Sequence, residues 1–585
     1  YAEMVVRSEK GWPWSYGVTY TSKMAREEIE GSAALGFYVA EADGKIIGTT
    51  SLFKGLMDKD SGYIGYTNVE PDYQGKKFGK RLLRRAIKKA IEEGIERVDL
   101  HTWAGNLKAL PLYKKLGFFW VPETQVEMNN FVPIILKHAM YEDFFKNNPD
   151  WYGVQVRDLS LKEDLVEMDG IRIYEYRFKS GEDEITAIAD KEGLWLTGGS
   201  NKDLDVWIHP ENEVCPEAFP QRMFWNITNR TDSEMMATLI ITAPGSIQIL
   251  DPPPTSIRIP PGESVNLEGK FRIDPKSERK ESWEQPDRVI TDIGVGTKML
   301  RFQTGVGRKG ALEFTFDPRY LMVQPGAKTR LDVRLKNRTK VHLKSKVVVT
   351  SPVDEVKVSK RIHGFELDPE GYTGFTTEVK LDDDTSTSYL PITFQPIFLT
   401  DEGREIKAKE EFLHGSCVSP GEMLAYVERG GKVLQLNSDV LRLSIDLRRG
   451  GRIIVRDRLS EEMLLGGFAG DALGPPFWPT EFDKCMCEYS VERGEGFIRA
   501  TILMKSELHE GLTLFKIFTL RKGLPTISVQ YGLINAFPKP RSFKLNFGAY
   551  SLLNRIRVYL PTERGLVSDE EVQTGFPAWK DTPEK

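Results

Sequence analysis

A short stretch near the N-terminus has the residue types and the spacing of a phosphate-binding turn. It reads QGKKFG over residues 74–79, between an apolar segment that ends at Val69 and an amphipathic segment that begins after Lys80. The free backbone amides at the start of a helix, together with the positive end of the helix dipole, favour a bound diphosphate. Glycine lets the backbone approach such a ligand closely. The predicted binding residues are Gln74, Gly75, Lys76, Lys77, Phe78, Gly79 and Lys80.

The elements that position this turn are predicted by the spacing of apolar residues. Residues 37–53 read as a hairpin with its turn at Asp43-Gly44, and residues 63–69 read as a further strand. Between Leu82 and Ile91 apolar residues recur at helical spacing, with arginine and lysine on the other face, until Gly94 ends the pattern. The order is therefore strand, glycine turn and amphipathic helix.

A second pattern comes after the helix. Residues 98–102 read as the next strand, and Asn106 and Tyr113 then precede the tripeptide LGF at residues 116–118. Together the two patterns resemble the GNAT superfamily of acyl-CoA N-acyltransferases, whose turn signature is Gln or Arg, two residues, Gly, one residue, and Gly or Ala. The sequence departs from this signature at Lys77, which stands where the first glycine is usual, although the Lys77 amide can still donate.

The resemblance implies a mixed α/β acyltransferase domain over residues 1–150, with acetyl-CoA as the cosubstrate. It implies that the strand ending at Val69 splays from the strand ending at Thr102. Backbone groups near Thr67 and Val69 would then pair with the pantetheine amides, so that the cosubstrate acts as an inserted strand. Asn106 is predicted to orient the cosubstrate or the adjoining loop.

Aminolysis of a thioester needs a neutral amine, a donor for the oxyanion and a proton for the departing thiolate. Tyr113 matches the proton donor of the family, with a half-buried core tyrosine as the alternative. Glu70 and His101 are candidates for the general base, and a water-mediated relay is a third possibility. Because the first 150 residues contain no cysteine, we expect direct transfer rather than an acyl-cysteine intermediate.

The composition narrows the remaining function classes. The chain has 585 residues and a net charge of -5, so several domains are expected and no overall attraction to nucleic acid is predicted. No apolar run is long enough to span a bilayer. The 4 cysteines are too few for a disulfide framework, and Cys485 and Cys487 lack a second pair of ligands, so no metal is expected. Because the chain opens with Tyr1, the true start is expected to have been cut away.

Residues 125–152 predict an apolar helix that packs the acyltransferase against the next part of the chain. Beyond Trp151 short alternating strands dominate, and residues 151–204 form a connecting segment. Asn229-Arg230-Thr231 recurs as Asn337-Arg338-Thr339 at an offset of 108 positions, each copy before an apolar strand. This repeat predicts two sandwiches, at 205–318 and 319–410, which resemble the immunoglobulin-like accessory modules of carbohydrate-active proteins.

Residues 411–585 resemble the opening of the galactose-mutarotase-like supersandwich, because a strand, a Gly-Gly turn and another strand recur there. That domain usually runs longer, so a truncation at Lys585 is expected. The loop 474–479, with Glu481, Phe482 and Asp483, is either a sugar-binding loop or a rigid proline-braced one. His509 and Glu510 are adjacent, and neighbours on a strand face opposite ways, so binding or scaffolding is favoured over catalysis.

The sequence therefore predicts a multidomain α+β and β protein with an N-acetyltransferase domain. The acceptor is an amine, with an amino sugar or glycan-linked amine as the class suggested by the β modules. Cytoplasmic location is predicted from the supply of acetyl-CoA, and the oligomeric state is open. The main alternative is a carbohydrate-binding scaffold whose acyl-CoA domain senses the cosubstrate without turnover. A glycan-active enzyme is disfavoured because no paired carboxylate site is evident.

Overall fold

The computed structural model describes most of the chain, in ranges separated by short gaps. These ranges are 1–8, 22–30, 34–55, 58, 60–102, 105–122, 124, 126–164, 166–278, 285–383, 390–399, 404–417, 423–428, 431–458, 463–465, 472–474, 482, 485–507, 510–536, 544–546, 556–562 and 565–571. Most of the proposed sugar loop, with Glu481 and Asp483, lies outside them, as does His509.

The N-terminal unit is a mixed α/β structure. Its helices are α1 (Ala2–Ser8), α2 (Ser22–Glu30), α3 (Phe78–Glu92), α4 (Leu110–Lys115), α5 (Val132–Lys137), α6 (Glu142–Asn147) and α7 (Trp151–Val154). Its strands are β1 (Ala34–Ala42), β2 (Lys45–Lys54), β3 (Ser61–Ile64), β4 (Asn68–Val69), β5 (Arg97–His101), β6 (Phe119–Trp120) and β7 (Glu127–Asn130). The sheet order is β1-β2-β3-β5-β7-β6, and β4 pairs with β2.

These bounds confirm the predicted hairpin, the helix after the glycine turn and the strand next to it in the sequence. The predicted strand over residues 63–69 is wrong as a single element, because β3 ends at Ile64 and β4 begins only at Asn68. Gly65 lies in the break, and its amide donates to the Ser51 carbonyl at 2.9 Å. A Cβ on Gly65 would lie 2.4 Å from Ser51 Oγ, so only glycine permits this close approach.

The first β-rich unit forms one large sheet and a smaller one. Its strands are β8 (Gln155–Val156), β9 (Val166–Met168), β10 (Ile171–Ser180), β11 (Asp183–Asp190), β12 (Trp195–Ser200), β13 (Leu204–Pro210), β14 (Val214–Pro216), β15 (Pro220–Asn229), β16 (Met235–Thr242), β17 (Ile247–Asp251), β18 (Ser256–Ile259), β19 (Ser264–Ile273), β20 (Arg288–Val295), β21 (Lys298–Gly305) and β22 (Gly307–Lys309). The large sheet runs β17-β19-β15-β13-β12-β11-β10-β8, and the smaller one runs β18-β16-β20-β21. Because the large sheet continues through Leu204, the predicted connecting segment and first sandwich share strands.

A second unit repeats the same plan. Its strands are β23 (Leu312–Asp317), β24 (Leu321–Val323), β25 (Lys328–Asn337), β26 (Leu343–Thr350), β27 (Val356–Val358), β28 (Ile362–Leu367), β29 (Tyr372–Leu381), β30 (Ile392–Leu399), β31 (Glu405–Lys407), β32 (Glu411–Leu413) and β33 (Gly415–Cys417). One sheet runs β23-β25-β29-β27 and the other β28-β26-β30-β31. The first unit pairs β14 with β22 in parallel, and the second pairs β24 with β33 in the same way.

The sequence repeat has a structural cause in two buried asparagines. Asn229 Nδ2 donates to the carbonyls of Ser233, Ile259 and Pro260. At the equivalent place, Asn337 Nδ2 donates to the carbonyls of Val341, Leu367 and Asp368. In each unit the side chain therefore satisfies the backbone of two turns at once, which explains why Asn recurs at this spacing.

The C-terminal region forms two sheets around a shared apolar core. Its strands are β34 (Leu424–Val427), β35 (Val433–Asn437), β36 (Leu441–Asp446), β37 (Arg452–Asp457), β38 (Met463–Leu465), β39 (Ala472–Gly474), β40 (Glu488–Gly494), β41 (Phe497–Lys505), β42 (Leu512–Arg521), β43 (Ile527–Asn535), β44 (Lys544–Asn546), β45 (Ile556–Thr562) and β46 (Gly565–Glu571). Gly450 and Gly451 turn the chain between β36 and β37 with φ values of 61° and 65°, as the Gly-Gly pattern predicted. The immunoglobulin-like and mutarotase-like classes, and the predicted domain limits, stay predictions.

The acyltransferase unit and the first β-rich unit share one continuous core, which extends from Leu52 to Val306. Charged groups are buried in the interface between them. Arg97 donates to Asp58 at 3.0 Å, and Arg288 of β20 lies 3.8 Å from the same carboxylate. Trp195 Nε1 donates to Glu96 at 2.6 Å. The N-terminal unit therefore docks on the β-rich unit through bonded polar groups as well as apolar ones.

The chemistry of the remaining polar groups is plain. All four cysteines are free, and Cys215 and Cys417 are buried. Within the ranges given above, no group of three or more His, Cys, Asp or Glu side chains could hold a metal ion. None of the helices in those ranges combines the length and the apolar character needed to cross a membrane.

Two glycine backbones meet in the first β-rich unit and predict a large stability effect. Asp190 accepts from the amides of Gly193 and Gly305, and a Cβ on Gly305 would lie 2.0 Å from Gly193 N. We expect Gly305→Ala to lower the free energy of unfolding by about 3 kcal/mol, because backbone cannot move aside as a side chain can. Urea denaturation measures this effect. Gly245→Ala is the control, since a Cβ there meets nothing within 4 Å, and equal losses in both variants would contradict the prediction.

His138 predicts a pH-dependent contribution to stability. It lies buried between α5 and β21, its Nδ1 accepts from the Met140 amide, and its Nε2 donates to the Arg301 carbonyl at 2.7 Å. Burial lowers the pKa of His138 from 6.5 to about 4. The unfolded chain therefore binds more protons between these two pH values, so stability falls as the pH falls.

We expect His138→Gln, which keeps a donor towards Arg301, to remove this loss. Relative to the wild type, the variant should gain about 3 kcal/mol between pH 7 and pH 4, since each tenfold change in protonation is worth about 1.4 kcal/mol. The readout is the difference in unfolding free energy between the two proteins across this range. Burial raises the pKa of Asp190 to about 7, which gives a contribution of the opposite sign. That contribution cancels in the difference, and a difference that does not vary with pH would exclude His138 as the cause.

Candidate active site

The site begins where two neighbouring strands separate. β3 pairs in parallel with β5 only at residues 61–63 and 97–99, and β4 then pairs with β2 instead. Thr67 lies in the break between β3 and β4, and its hydroxyl contacts Thr50 Oγ1 at 2.8 Å. The strand ends at Val69 and His101 therefore diverge, which is the splay that the sequence resemblance implied.

The glycine turn leads directly into α3 and leaves its first amides available. Within the described residues, no side chain caps the start of α3. Lys77 is the residue before the helix and has a φ of 69°, and Gly75 has a φ of 77°. A left-handed φ explains why glycine is usual at position 77, since a side chain there costs about 1 kcal/mol.

The start of α3 lies against both β4 and α4. A Cβ on Gly79 would lie 3.5 Å from Leu112 Cδ2 and 3.7 Å from Val69 Cγ2. Gln74 bridges the same elements, because its Nε2 donates to the Val69 carbonyl at 3.1 Å and its Oε1 accepts from Lys108. The structure therefore brings the strand end, the turn and the tyrosine-bearing helix together.

Cations and aromatic rings surround this turn. Lys76 Nζ lies 4.9 Å from the centre of the Tyr73 ring, and Tyr73 packs edge-on against Phe78. Lys80 Nζ lies 4.6 Å from the ring of Tyr152, which belongs to α7. Free amides beside lysine side chains suit a diphosphate, so the residues fit the phosphate groups of coenzyme A.

Tyr113 lies on α4 beside the splay and is 8% exposed. Its ring packs edge-on against Phe118, and no residue in the described part of the chain hydrogen-bonds its hydroxyl. Burial, with a smaller contribution from nearby Tyr63, raises the pKa of Tyr113 to about 12. Tyr113 therefore keeps its proton at neutral pH and is able to donate it.

Asn106 organises the loop that leads into α4. Its Nδ2 donates to Thr102 Oγ1 at 2.9 Å, and its Oδ1 accepts from the Ala109 amide at 3.3 Å. The side chain thus joins the end of β5 to the start of the helix that carries Tyr113. Of the two predicted roles, these bonds support the one in which Asn106 orients the loop.

The two candidate bases have different surroundings. Glu70 is buried and forms an ion pair with Arg7 of α1, whose Nε donates to Oε1 at 2.7 Å. His101 is exposed at the end of β5, where its Nε2 lies 3.9 Å from Glu127 and its ring 6.0 Å from that of Tyr63. A proton acceptor held by a guanidinium is a poorer base than a free one. The surroundings therefore favour His101 over Glu70, and the roles of both stay predictions.

Sequence reasoning missed three residues of this neighbourhood. Arg7 pairs with Glu70 across 63 positions, and Tyr152 reaches Lys80 from beyond the predicted domain limit. Tyr63 stood within a predicted strand, and burial raises its pKa to about 12. Nothing in the local sequence signals the two long-range contacts. A tyrosine where a parallel strand pair ends was the one available signal for Tyr63.

Residues 6–118 match the family model described as the Acetyltransferase (GNAT) family. The N-terminal region of this chain therefore contains a GNAT acetyltransferase domain, while the larger, β-rich remainder lies outside the match. No curated protein matches the chain.

Two solved structures are similar to this part of the chain. One is the PaiA N-acetyltransferase from Thermoplasma acidophilum in complex with coenzyme A, at 22% identity, covering 22% of this chain and 92% of that one, with a TM-score of 0.18. The other is the ribosomal-protein-alanine N-acetyltransferase from Brucella melitensis, at 22% identity, covering 16% and 68%, with a TM-score of 0.14. At these TM-scores the likenesses carry no argument, so the class rests on the family match.

Proposed function

We propose that this protein transfers an acetyl group from acetyl-CoA directly to an amine. The observation that carries the proposal is the meeting of three features, namely the splay after β3, the uncapped start of α3 and the buried, protonated Tyr113. Phosphate binding and proton donation are thereby placed on either side of the gap between β4 and β5. The cosubstrate supplies the activated thioester.

The chain's own groups then account for each proton. The amine nitrogen attacks the thioester carbonyl, the carbon–sulfur bond breaks, and an amide forms. The nitrogen loses a proton to His101, to Glu70 or to water, and the departing sulfur takes a proton from Tyr113. The products are an N-acetyl amine and free coenzyme A, so the step needs no oxidant and no metal ligand set.

The acceptor class is a finer proposal. The β-rich units suggest an amino sugar or a glycan-linked amine, on the strength of the sequence resemblance alone. Thiol release from acetyl-CoA therefore needs to be measured with amino sugars, polyamines and peptide amines in parallel. Faster release with one class identifies the acceptor.

The same experiment separates the two leading functions. Calorimetry with coenzyme A first establishes whether the full chain binds the cosubstrate. Binding together with amine-dependent thiol release supports the transferase. Binding without acceleration by any amine supports the alternative, an acyl-CoA-sensing scaffold. Failure to bind coenzyme A would remove both.

A further inference from the structure

The C-terminal end of helix α4 is held by side chains that lie beyond the residues matched to the acetyltransferase family. Arg157 NH1 donates to the Lys114 carbonyl at 3.0 Å, and Tyr176 Oη donates to the Gly117 carbonyl at 2.7 Å. Both side chains are buried. The last carbonyls of a helix have no partner within it, so these bonds complete the end of the helix that carries Tyr113.

Tyr176 joins two parts of the acyltransferase unit from strand β10. Its hydroxyl donates to Gly117 and also accepts from the Phe131 amide at 2.8 Å. Its ring lies 4.7 Å from that of Phe119, just after the helix. Gly117 itself has a φ of 95°, and a Cβ there would lie 2.6 Å from Val132 Cγ2. The turn after α4 is therefore fixed on all sides.

Arg157 belongs to a second set of bonds around the same helix. Lys114 Nζ donates to the carbonyls of Ser160 and Lys162, both at 2.7 Å, and to Asp164 at 2.9 Å. The other oxygen of Asp164 lies 3.1 Å from Arg157 NH2. The segment from Arg157 to Asp164 thus wraps the residue next to Tyr113 in the chain.

These bonds bear directly on the tyrosine. The Tyr113 carbonyl accepts from the Phe118 amide at 3.1 Å, and the Lys114 carbonyl accepts from Gly117 as well as from Arg157. A shift of the helix end therefore shifts the backbone of Tyr113. Catalytic groups lose much of their effect when displaced by about 1 Å.

We propose that Tyr176 and Arg157 are positioning residues for Tyr113, so that the first β-rich unit is an integral part of the acetyltransferase. This inference rests on the proposed function, because it concerns the proton donor of that reaction. It assigns the residues after 150 a role in catalysis rather than that of a passive spacer.

The test compares two neighbouring tyrosines of β10. Tyr174 is buried like Tyr176 and packs on Phe119 and Phe131, but in the described part of the chain its hydroxyl has no hydrogen-bond partner. We expect Tyr176→Phe to lower kcat about tenfold with the KM for acetyl-CoA unchanged within about twofold. Tyr174→Phe should leave both constants at wild-type values.

A double-mutant cycle distinguishes positioning from a general loss of stability. If Tyr176 acts through Tyr113, Tyr176→Phe has no further effect on kcat once Tyr113 is already Phe. Arg157→Lys, with the exposed Arg177→Lys as its control, provides the same comparison if Tyr176→Phe does not fold.

Equal kcat values in the two tyrosine variants, or additive losses in the cycle, would overturn the inference. Turnover by the wild type in the same assay shows that such a result concerns the positioning alone. No amine-dependent turnover by the wild type would instead be a failure of the proposed function.

Discussion

Replacing Tyr113 by phenylalanine should lower kcat for acetyl transfer about a hundredfold, which is the usual contribution of a positioned proton donor. The ring stays in place, and the hydroxyl that is lost has no partner within the described residues, so folding should be unaffected. The affinity for coenzyme A should change less than about twofold, because the ring does not contribute to the phosphate turn. Steady-state kinetics and calorimetry on the full chain measure the two quantities.

Tyr63→Phe is the matched control for this substitution. Tyr63 is the other buried tyrosine beside the splay, and burial raises its pKa to about 12 as well. A loss confined to Tyr113→Phe supports its role as the proton donor. A loss confined to Tyr63→Phe would transfer that role to Tyr63. Because burial raises the pKa of Tyr113 to about 12, the wild-type pH profile near neutrality should reflect the amine and the base.

Replacing Lys77 by glutamate should weaken coenzyme A binding about thirtyfold. The substitution removes a cation from the start of α3 and places a negative charge where the diphosphate meets the helix amides. Together these changes are worth about 2 kcal/mol, since bonds to charged groups contribute about 1.5–3 kcal/mol. Titration calorimetry with coenzyme A, repeated at low and high salt, measures the loss and its electrostatic share.

Two controls isolate the site of this charge. Lys88→Glu makes the same change in net charge on the same helix, about 16 Å further along at 1.5 Å per residue. It should leave coenzyme A affinity nearly unchanged, and a similar loss there would show a non-local charge effect. Lys77→Gly restores the family signature and relieves the left-handed backbone. It should raise the free energy of unfolding by up to about 1 kcal/mol and keep the affinity within about threefold.

The first β-rich unit changes how the acetyltransferase domain is understood. Its Arg288 and Trp195 bind charged residues near the base of β3 and β5, and its Tyr176 bonds to the end of α4. One hydrophobic core runs through both units. A fragment that ended at the limit of the family match would expose this core, so experiments on the site require the full chain.

Local chemistry allowed several features to be predicted from the sequence alone. Apolar spacing predicted the β1–β2 hairpin and helix α3, because burial of one face depends on residues a few positions apart. Glycines predicted the phosphate turn, and the recurrence of Asn229 as Asn337 predicted two similar β units. These features depend on residues that are close in the chain or on a repeat that is visible in it.

Only the tertiary structure decided which distant groups meet. The pairing of Glu70 with Arg7, the break in the strand at Gly65 and the reach of Tyr176 to Gly117 depend on contacts made after the elements pack. Periodicity within a segment holds no information about a partner 59 or 63 positions away. The residue types of the site were therefore legible in the sequence, whereas their support by the β-rich unit comes from packing alone.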